Sequence, residues 1–273
     1  MENITKENYV LSEKIKLTNV NKIFNVRRQT IYALKDICFA VNEGELVSIM
    51  GPSGCGKSTI IRIIDDIIRP SSGTAAIEGK NVNVKENREI IKKIGFIFQE
   101  PNLLPWLTVR QNAQMPLKVF GLKGSEWENY TDELINMVEL SEYASAYPLE
   151  ISGGMMQRAG VIRALVHKPE ILLMDEPFGS LDEINREALD FELLDIWQKM
   201  KKTIVFITHN VHEAVMLSSR VIVMGTNPGR ILDEIKIDIP YPRNPDMFLL
   251  PEFKDYEEKI TNLIGELDIS KII

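Results

Sequence analysis

The residues with the clearest chemical pattern form a glycine-rich run, GPSGCGKST, at positions 51–59. Its glycines let the backbone wrap so that successive N–H groups point at an anion, and the following helix adds about half a positive charge at its N-terminus. In such a run Lys57 reaches the β- and γ-phosphates, Ser58 offers its hydroxyl to Mg²⁺, and Thr59 meets the α-phosphate. The run therefore predicts a nucleoside triphosphate site. Its predicted contacts are Gly51, Ser53, Gly54, Cys55, Gly56, Lys57, Ser58 and Thr59.

Two acidic residues, Asp175 and Glu176, follow the apolar run ILLM at 171–174. A carboxylate at the C-terminal edge of a parallel strand points into the crevice where ligands bind. We expect Asp175 to hold Mg²⁺, usually through water, and Glu176 to polarise the attacking water. Two acids after an apolar strand also fit a solvated strand end, but the phosphate loop upstream favours the catalytic interpretation.

Single polar residues end two further apolar strands: Gln99 follows IGFIF and His209 follows TIVFIT. Both positions lie where the γ-phosphate of a bound nucleotide is expected. We predict that Gln99 and His209 act with Glu176 and Lys57 in catalysis, and that Gln99 joins Ser58 and Asp175 around Mg²⁺. The NKxD pattern of GTPases is absent, because Asn21-Lys22 continues as Ile-Phe.

The elements that position these residues alternate between strands and helices. Apolar alternation or short apolar runs predict strands at 14–24, 31–41, 45–50, 74–78, 94–98, 171–175, 203–208, 220–224 and 231–237. Helices are predicted at 58–68, 152–167, 183–201 and 210–217. This alternation predicts an α/β fold with parallel βαβ units, and the wholly apolar strands at 171–175 and 203–208 fit a sheet covered on both faces.

Two segments of the sequence do not show this alternation of strands and helices. Between 101 and 150 strand signals vanish and helical spacing appears at 108–120 and 125–140, which predicts a helical insert. After Pro240 comes a proline-rich tail with a short helix that carries Phe253 and Ile260. We expect this helix to dock on its own domain, with a dimer or regulatory contact as the alternative. The predicted domains are a core at 14–100 and 151–240, the insert at 101–150 and the tail at 241–273.

Composition excludes several classes of protein. The chain has 273 residues, a net charge of -7 and two cysteines, Cys38 and Cys55. Acidic chains are poor default binders of nucleic acid, and two thiols make no disulfide framework. No apolar stretch approaches the roughly 20 residues that cross a bilayer. Because Cys55 lies inside the phosphate loop, we expect N-ethylmaleimide to block nucleotide binding there.

The segment Ile151-Ser152-Gly153-Gly154-Met155-Met156-Gln157-Arg158 resembles the LSGGQ signature of ATP-binding-cassette (ABC) ATPases. Residues 14–237 follow the motif order of that family: Walker A at 51–59, the Q-loop at Gln99, the signature, Walker B at 171–176, a D-loop at 180–182 and a switch histidine at His209. The resemblance implies a P-loop (RecA-like) core with a mostly parallel sheet, an antiparallel β subdomain and a helical subdomain. It implies that ATP and Mg²⁺ are the ligands.

Several site residues follow from this resemblance alone. Phe24 stands at the position of the family's adenine-stacking aromatic residue, with Tyr32 as an alternative stacker. Ser152, Gly153, Gly154 and Asp182 are implied to contact ATP held by a second copy of the chain. Met155 replaces the usual glutamine, which puts a side-chain contact at that position in doubt, whereas the phosphate contacts expected of Ser152 and Gly154 remain.

Finer features resemble the importer ATPases for nitrate, sulfonates and taurine: the signature form SGGMxQR, the run LPWLTV at 104–109 and NPGR at 227–230. The resemblance implies a dimer that sandwiches two ATPs, integral membrane permease subunits, and indirectly an extracytoplasmic substrate-binding protein. It implies a peripheral location on the cytoplasmic face of the plasma membrane. The insert around 99–120 is the candidate coupling surface, and we expect Trp106 to be exposed there, with burial in the core of the insert as the alternative. Bicarbonate, riboflavin and thiamine-precursor importers use similar ATPases. A soluble ABC protein of DNA repair or translation also fits the motifs, but such proteins usually carry paired cassettes or long coiled-coil insertions, for which this chain has no room. A P-loop kinase fits the Walker motifs alone and lacks the SGG signature.

Overall fold

The computed structural model describes residues 12–26, 29–177, 179 and 183–269. Their strands are β1 (Glu13–Val26), β2 (Gln29–Asn42), β3 (Leu46–Met50), β4 (Ser72–Ile77), β5 (Lys80–Asn81), β6 (Ile94–Ile97), β7 (Ile171–Asp175), β8 (Thr203–Thr208), β9 (Arg220–Gly225) and β10 (Arg230–Lys236). Their α-helices are α1 (Lys57–Ile64), α2 (Val109–Ala113), α3 (Met115–Phe120), α4 (Ser125–Met137), α5 (Gly153–Leu165), α6 (Glu183–Met200), α7 (Val211–Leu217) and α8 (Pro251–Ile269). The predicted strands are confirmed as elements. The 3-10 helix at Lys85–Lys93 and strand β5 were not predicted.

The strands form two sheets. The larger has the order β10-β9-β3-β8-β7-β6, in which every pair is parallel except β10 with β9. The smaller has the order β2-β1-β4-β5 and is antiparallel. A mostly parallel sheet beside an antiparallel one is the fold class that the sequence predicts, and the prediction is confirmed.

Register places the candidate site residues at one edge of the larger sheet. Met50 pairs with Thr208, and Asp175 pairs with Ile207. The residues that follow these strands therefore leave the sheet side by side. Strands β3, β7 and β8 are buried along their whole length, as expected for parallel strands covered on both faces, so they hold this edge rigidly.

Two helix predictions need correction. Helix α1 ends at Ile64, before the predicted residue 68, because the chain turns at Asp65 and Asp66 takes a left-handed φ of 53°. The helical segment 108–120 is two helices, α2 and α3, which meet at Gln114. Pro116 has no N–H for a bond to the preceding turn, so one continuous helix is disfavoured there.

The tail docks on the larger sheet, as predicted, but its helix is long: α8 has 19 residues. Phe253 and Ile260 are buried in one cluster with residues of α7 and β9. A hydrogen bond of 2.9 Å between His212 Nδ1 and Glu257 Oε1 joins α7 to α8. Apolar burial, supplemented by this hydrogen bond, fixes the tail. Within the described residues no helix combines the length and apolar character needed to cross a bilayer.

Candidate functional site

The glycine-rich loop between β3 and α1 owes its shape to contacts within this chain. A Cβ atom on Gly56 would lie 2.5 Å from Leu34 Cδ2, and one on Gly51 would lie 2.5 Å from the backbone oxygen of Met224. Gly56 also has a φ of 98° and caps the start of α1. Only glycine avoids both the clashes and the left-handed strain, so the loop is held in one conformation by the surrounding core.

Lys57 is buried at the first turn of α1, and its ammonium donates to the carbonyl oxygens of Gly51 at 2.7 Å and Pro52 at 3.2 Å. No side chain caps the N-terminus of α1, and no acidic residue lies in its first turn. The unpaired N–H groups and the helix dipole of such an end favour an anion. The loop and Lys57 thus form a phosphate-binding geometry.

A hydroxyl and a carboxylate lie beside this loop. Ser58 Oγ donates to Asp175 Oδ1 at 2.8 Å, and Arg62 Nη2 lies 3.9 Å from Asp175 Oδ2. Burial raises the pKa of Asp175 above its ordinary value, and the hydrogen bond from Ser58 partly opposes this. Mg²⁺ is commonly held by one or two such oxygen ligands together with substrate phosphates, so the residues present fit the ion. Sequence reasoning missed Arg62, because an arginine inside an apolar helix resembles a solvated position.

Glu176 and His209 meet at the ends of neighbouring strands. His209 Nδ1 donates to Glu176 Oε2 at 3.0 Å, and the backbone N–H of Glu176 donates to the carbonyl of Ile207 at 3.0 Å. Glu176 takes a left-handed φ of 46°, a strained conformation for a residue with a side chain. A carboxylate oxygen only accepts, so Nδ1 carries the hydrogen of the His209–Glu176 bond.

Gln99 follows β6 as predicted, with an exposed side chain. Its backbone carbonyl accepts a hydrogen bond of 2.9 Å from Nε2 of the buried Gln157. Among the described contacts none joins the Gln99 side chain to Ser58 or Asp175. Its predicted role as a magnesium ligand stays a prediction. Gln157, which fastens α5 to the loop after β6, was missed because a glutamine within a helix carries no distinctive signal.

The segment Ser152-Gly153-Gly154 opens α5. Ser152 Oγ accepts a hydrogen bond of 3.3 Å from the N–H of Met155, which confirms Ser152 as the N-cap. A Cβ atom on Gly153 or Gly154 would meet nothing within 4 Å. Among the residues that the structure describes, nothing therefore gives these two positions a steric reason to be glycine. The predicted contact Asp182 lies outside the described residues.

The two candidate adenine stackers lie on opposite faces of the β1–β2 hairpin. Phe24 pairs with Ile31, whereas Ile23 pairs with Tyr32, and neighbouring residues of a strand point to opposite faces. Lys22 Nζ lies 4.9 Å from the centre of the half-buried Phe24 ring. Tyr32 is 61% exposed and lines a cavity of about 670 Å³. Only one of the two can face the nucleotide, and Phe24 stays the prediction.

Cys55 corrects the expectation of a reactive thiol in the loop. Its side chain is fully buried in the core beneath α1, and burial raises its pKa. Its backbone can line a phosphate site, but its thiol points away from solvent. The exposed cysteine is Cys38, on β2. A side chain within a phosphate loop can face the core, which the loop pattern alone does not reveal.

The α/β sheet, the phosphate loop and the acidic strand end define a P-loop nucleotide-binding protein. The ABC transporter family matches residues 34–179. An uncharacterized ABC transporter ATP-binding protein of Methanocaldococcus jannaschii is 42% identical over 253 residues, covering 93% of this chain and 92% of the relative. The aliphatic sulfonates import ATP-binding protein SsuB of Bacillus cereus is 40% identical over 230 residues, covering 84% and 88%.

Solved structures give the same result. The dimeric structure of MJ0796, a bacterial ABC transporter cassette, has a TM-score of 0.74 and 36% identity, covering 83% of this chain and 100% of the cassette. A dimeric post-hydrolysis state of MJ0796 bound to ADP and Pi has a TM-score of 0.73. The chain belongs to the ABC transporter family and is an ABC ATPase, an ATP-binding subunit.

Proposed function

We propose that this ATPase powers an ABC importer for a small solute, and that the solute is an anion such as nitrate, a sulfonate, taurine or bicarbonate. The observation that carries the hydrolytic part is the Glu176–His209 pair, 3.0 Å long, at the sheet edge that also holds the Ser58–Asp175 pair. The similarity to SsuB, which is named as a sulfonate import ATP-binding protein, supports import.

The residues at the sheet edge divide the work of hydrolysis. The phosphate loop and Lys57 bind the triphosphate, and the ammonium exchanges its bonds to Gly51 and Pro52 for phosphate oxygens. Mg²⁺, held by Ser58 and Asp175 and predicted to involve Gln99, neutralises phosphate charge when bound. Glu176 accepts a proton from the attacking water, while His209 donates from Nδ1 and so orients the Glu176 carboxylate at the strand end where the γ-phosphate is expected.

The second half of each ATP site comes from another copy of the chain. Ser152 begins a helix whose positive end favours an anion, and Gly153 and Gly154 leave that end open to approach. One chain can hardly present two helix N-termini to the same γ-phosphate from opposite sides, but two chains can. ATP therefore joins two copies through Walker A of one and Ser152–Gly154 of its partner. Phe24 stacks on adenine, and Asp182 completes the contact.

The membrane partner is a permease that docks on the insert. A cavity of about 360 Å³ lies between β6 and the helices α3 and α5. We call it the docking groove and define it by Phe96, Phe98, Met115, Pro116 and Phe120. Nearby, Trp106 is 69% exposed, as predicted for a coupling loop. This arrangement supports a peripheral location on the cytoplasmic face of the membrane and an indirect link to an extracytoplasmic binding protein; nucleic acid is not a proposed partner.

The test is transport by the assembled complex. The chain, co-expressed with the permease and binding protein encoded beside it, is reconstituted in liposomes with ATP on its side of the membrane. We expect ATP-dependent uptake that competing sulfonate, taurine, nitrate or bicarbonate reduces, and that Glu176→Gln abolishes. Competition by riboflavin or a thiamine pyrimidine instead favours the alternative, a vitamin importer. Failure to associate with any integral membrane protein would indicate a soluble ABC ATPase and contradict the proposal.

A further inference from the structure

The docking groove contains a carboxylate, that of Asp65, to which no described side chain donates a hydrogen bond. Asp65, at the end of α1, lines the groove, and its only described electrostatic neighbour is the carboxylate of Asp66. Burial, reinforced by Asp66, raises the pKa of Asp65 to about 7. Asp66 itself accepts a hydrogen bond of 2.7 Å from Asn83. Asp65 is therefore the acid of this pair that remains available to a partner.

A second acceptor lines the same groove. His167 Nε2 lies 3.0 Å from the carbonyl oxygen of Ile94. A carbonyl only accepts, so Nε2 carries the hydrogen. Burial lowers the pKa of His167, which keeps the ring neutral and makes Nδ1 an acceptor. Nδ1 is buried from solvent and has no hydrogen-bond partner among the described residues, so the neutral His167 ring supplies no cation to Asp65.

Arg163, which lines the groove, already donates hydrogen bonds to two backbone carbonyls. Arg163 Nη1 donates to the carbonyl of Asn102 at 2.9 Å, and Nη2 donates to the carbonyl of Pro101. Both carbonyls belong to the segment that follows β6, so Arg163 holds that segment against α5. Among the described residues no cation is left to neutralise Asp65. The groove thus combines the Asp65 carboxylate with an aromatic wall.

That wall suits a planar cation. The rings of Phe96 and Phe98 lie 4.4 Å apart between centroids, and the Phe120 ring lies 5.1 Å from that of His167. Arginine pairs with a carboxylate through two N–H groups and stacks on aromatic faces, whereas lysine is a more strongly hydrated point charge. The groove therefore selects arginine more strongly than lysine, whereas a neutral apolar segment would bury Asp65 in its protonated form and gain no charge pairing.

Resting on the importer function proposed above, we propose that the docking groove receives a cytoplasmic segment of the permease whose apolar side chains flank one arginine. This arginine pairs with Asp65 and packs against the rings of Phe96 and Phe98. Asp65 is then a specificity residue for the permease, because it penalises any segment that lacks a cation. It acts on assembly and takes no part in binding ATP.

The first experiment identifies the occupant. The chain carries the photo-crosslinker p-benzoylphenylalanine in place of Phe120, is co-expressed with its permease, and is irradiated in membranes before mass spectrometry. We expect a crosslink to a cytoplasmic permease segment that contains an arginine. A crosslink to a permease segment without a basic residue, or to a second copy of this chain, would overturn the inference.

The second experiment measures affinity for the permease in nanodiscs with Asp65→Asn and Asp65→Lys. Asp65→Lys should weaken binding about tenfold or more and Asp65→Asn less, where tenfold corresponds to about 1.4 kcal/mol. The matched control is Asp255→Lys, which makes the same charge change at an exposed position of α8. ATP binding by each isolated variant reports that it is folded, and exchanging the permease arginine for glutamate should restore binding to Asp65→Lys.

The outcomes separate the two proposals. If the wild-type chain binds no permease, the importer function fails and this inference fails with it. If the wild-type chain binds the permease and both Asp65 variants bind it with the affinity of wild type, only the inference about Asp65 is overturned. Loss of binding by Asp65→Lys, rescue by the reversed partner and no effect of Asp255→Lys would support it.

Discussion

Two glycine-bearing segments of this chain differ in what requires their glycines. In the phosphate loop, side chains on Gly51 and Gly56 would collide with Met224 and Leu34 of the same chain. At the start of α5, side chains on Gly153 and Gly154 would meet open space. The first segment is shaped by the fold of one chain. The described residues give the second segment no steric reason for its glycines, and we propose that it serves the surface of a second copy of the chain.

This difference predicts how the phosphate loop and the start of α5 each contribute to nucleotide binding in a single chain. A loop held in place by its own core has already met the cost of ordering before a ligand arrives, which favours tight binding. An exposed helix end capped only by Ser152 attracts an anion but supplies half of a site. We therefore expect the phosphate loop of an isolated chain to bind ATP with no contribution from that chain's own α5. Hydrolysis should need the α5 N-terminus of a second chain.

The largest expected contrast is between Gly56→Ala and Gly153→Ala. At position 56 the added methyl overlaps Leu34 and the φ of 98° is strained, so we expect a loss of about 1–3 kcal/mol in the free energy of unfolding. Nucleotide affinity should fall with it. At position 153 the methyl enters open space, so stability should stay within about 0.5 kcal/mol.

Urea unfolding and titration with a fluorescent ATP analogue measure both quantities. Gly54→Ala is a useful control, because its Cβ would meet nothing within 4 Å although its φ is 79°. The stability lost by Gly54→Ala therefore measures backbone strain alone, without steric overlap. Equal loss of stability in Gly56→Ala and Gly153→Ala would break the comparison between the two segments.

A second prediction concerns the adenine end of the nucleotide. Stacking on an aromatic side chain contributes roughly 1–3 kcal/mol per base in nucleic-acid systems, so Phe24→Ala should weaken ATP binding about fivefold or more. Tyr32→Ala, on the opposite face of the hairpin, should leave it unchanged. Isothermal titration with ATP and GTP measures the effect, which should be similar for the two nucleotides. The reverse result would assign stacking to Tyr32.

A third prediction follows from the raised pKa of Asp175. The folded chain holds this proton more tightly than the unfolded chain. The ionised form therefore lowers stability as pH rises from about 4 to the folded pKa, and the full penalty remains above it. Without nucleotide, Asp175→Asn should melt at a higher temperature than wild type at pH 8, because it removes a buried charge. The difference in melting temperature between Asp175→Asn and wild type should become smaller toward pH 4.

Differential scanning calorimetry across this pH range tests the prediction. Mg-ATP supplies a cation to the carboxylate, so it should stabilise wild type more than Asp175→Asn. A variant that melts below wild type at pH 8 would show that the Ser58–Asp175 bond outweighs the burial of charge.

The smallest expected effect is that of N-ethylmaleimide. Cys38 is exposed, whereas Cys55 is buried and its pKa is raised, so Cys38 should react at least about tenfold faster. Binding of ATP should survive the first equivalent, and Cys38→Ser should remove the fast phase. Loss of ATP binding after one equivalent, with protection by Mg-ATP, would instead place the Cys55 thiol in the site.

The sequence predicted the parts of this fold that depend on short-range patterns. The apolar runs before Asp175 and His209 are buried parallel strands, and the run before Gly51 is another. Their order in the sheet was less accessible, since it depends on contacts between distant parts of the chain. The early end of α1 and the break at Gln114 were missed because apolar spacing continues through both points.

Within the site the sequence identified the residue types and missed their orientation. Ser152 as an N-cap follows from local chemistry and is confirmed. The burial of Cys55 depends on a core built from other elements, so no local pattern could reveal it. Gly229 was missed as a structural glycine, although a Cβ there would lie 2.0 Å from the backbone oxygen of Cys55. Arg62 and Gln157 were missed for the same long-range reason.

The central claim is that the open end of α5 completes the ATP site of a second copy. Size-exclusion chromatography of Glu176→Gln tests it most directly, because this variant should bind ATP without hydrolysing it. We expect monomer with ADP, dimer with ATP, and monomer with bound nucleotide when Ser152→Arg is added. A dimer that is indifferent to nucleotide and to Ser152→Arg would contradict the claim.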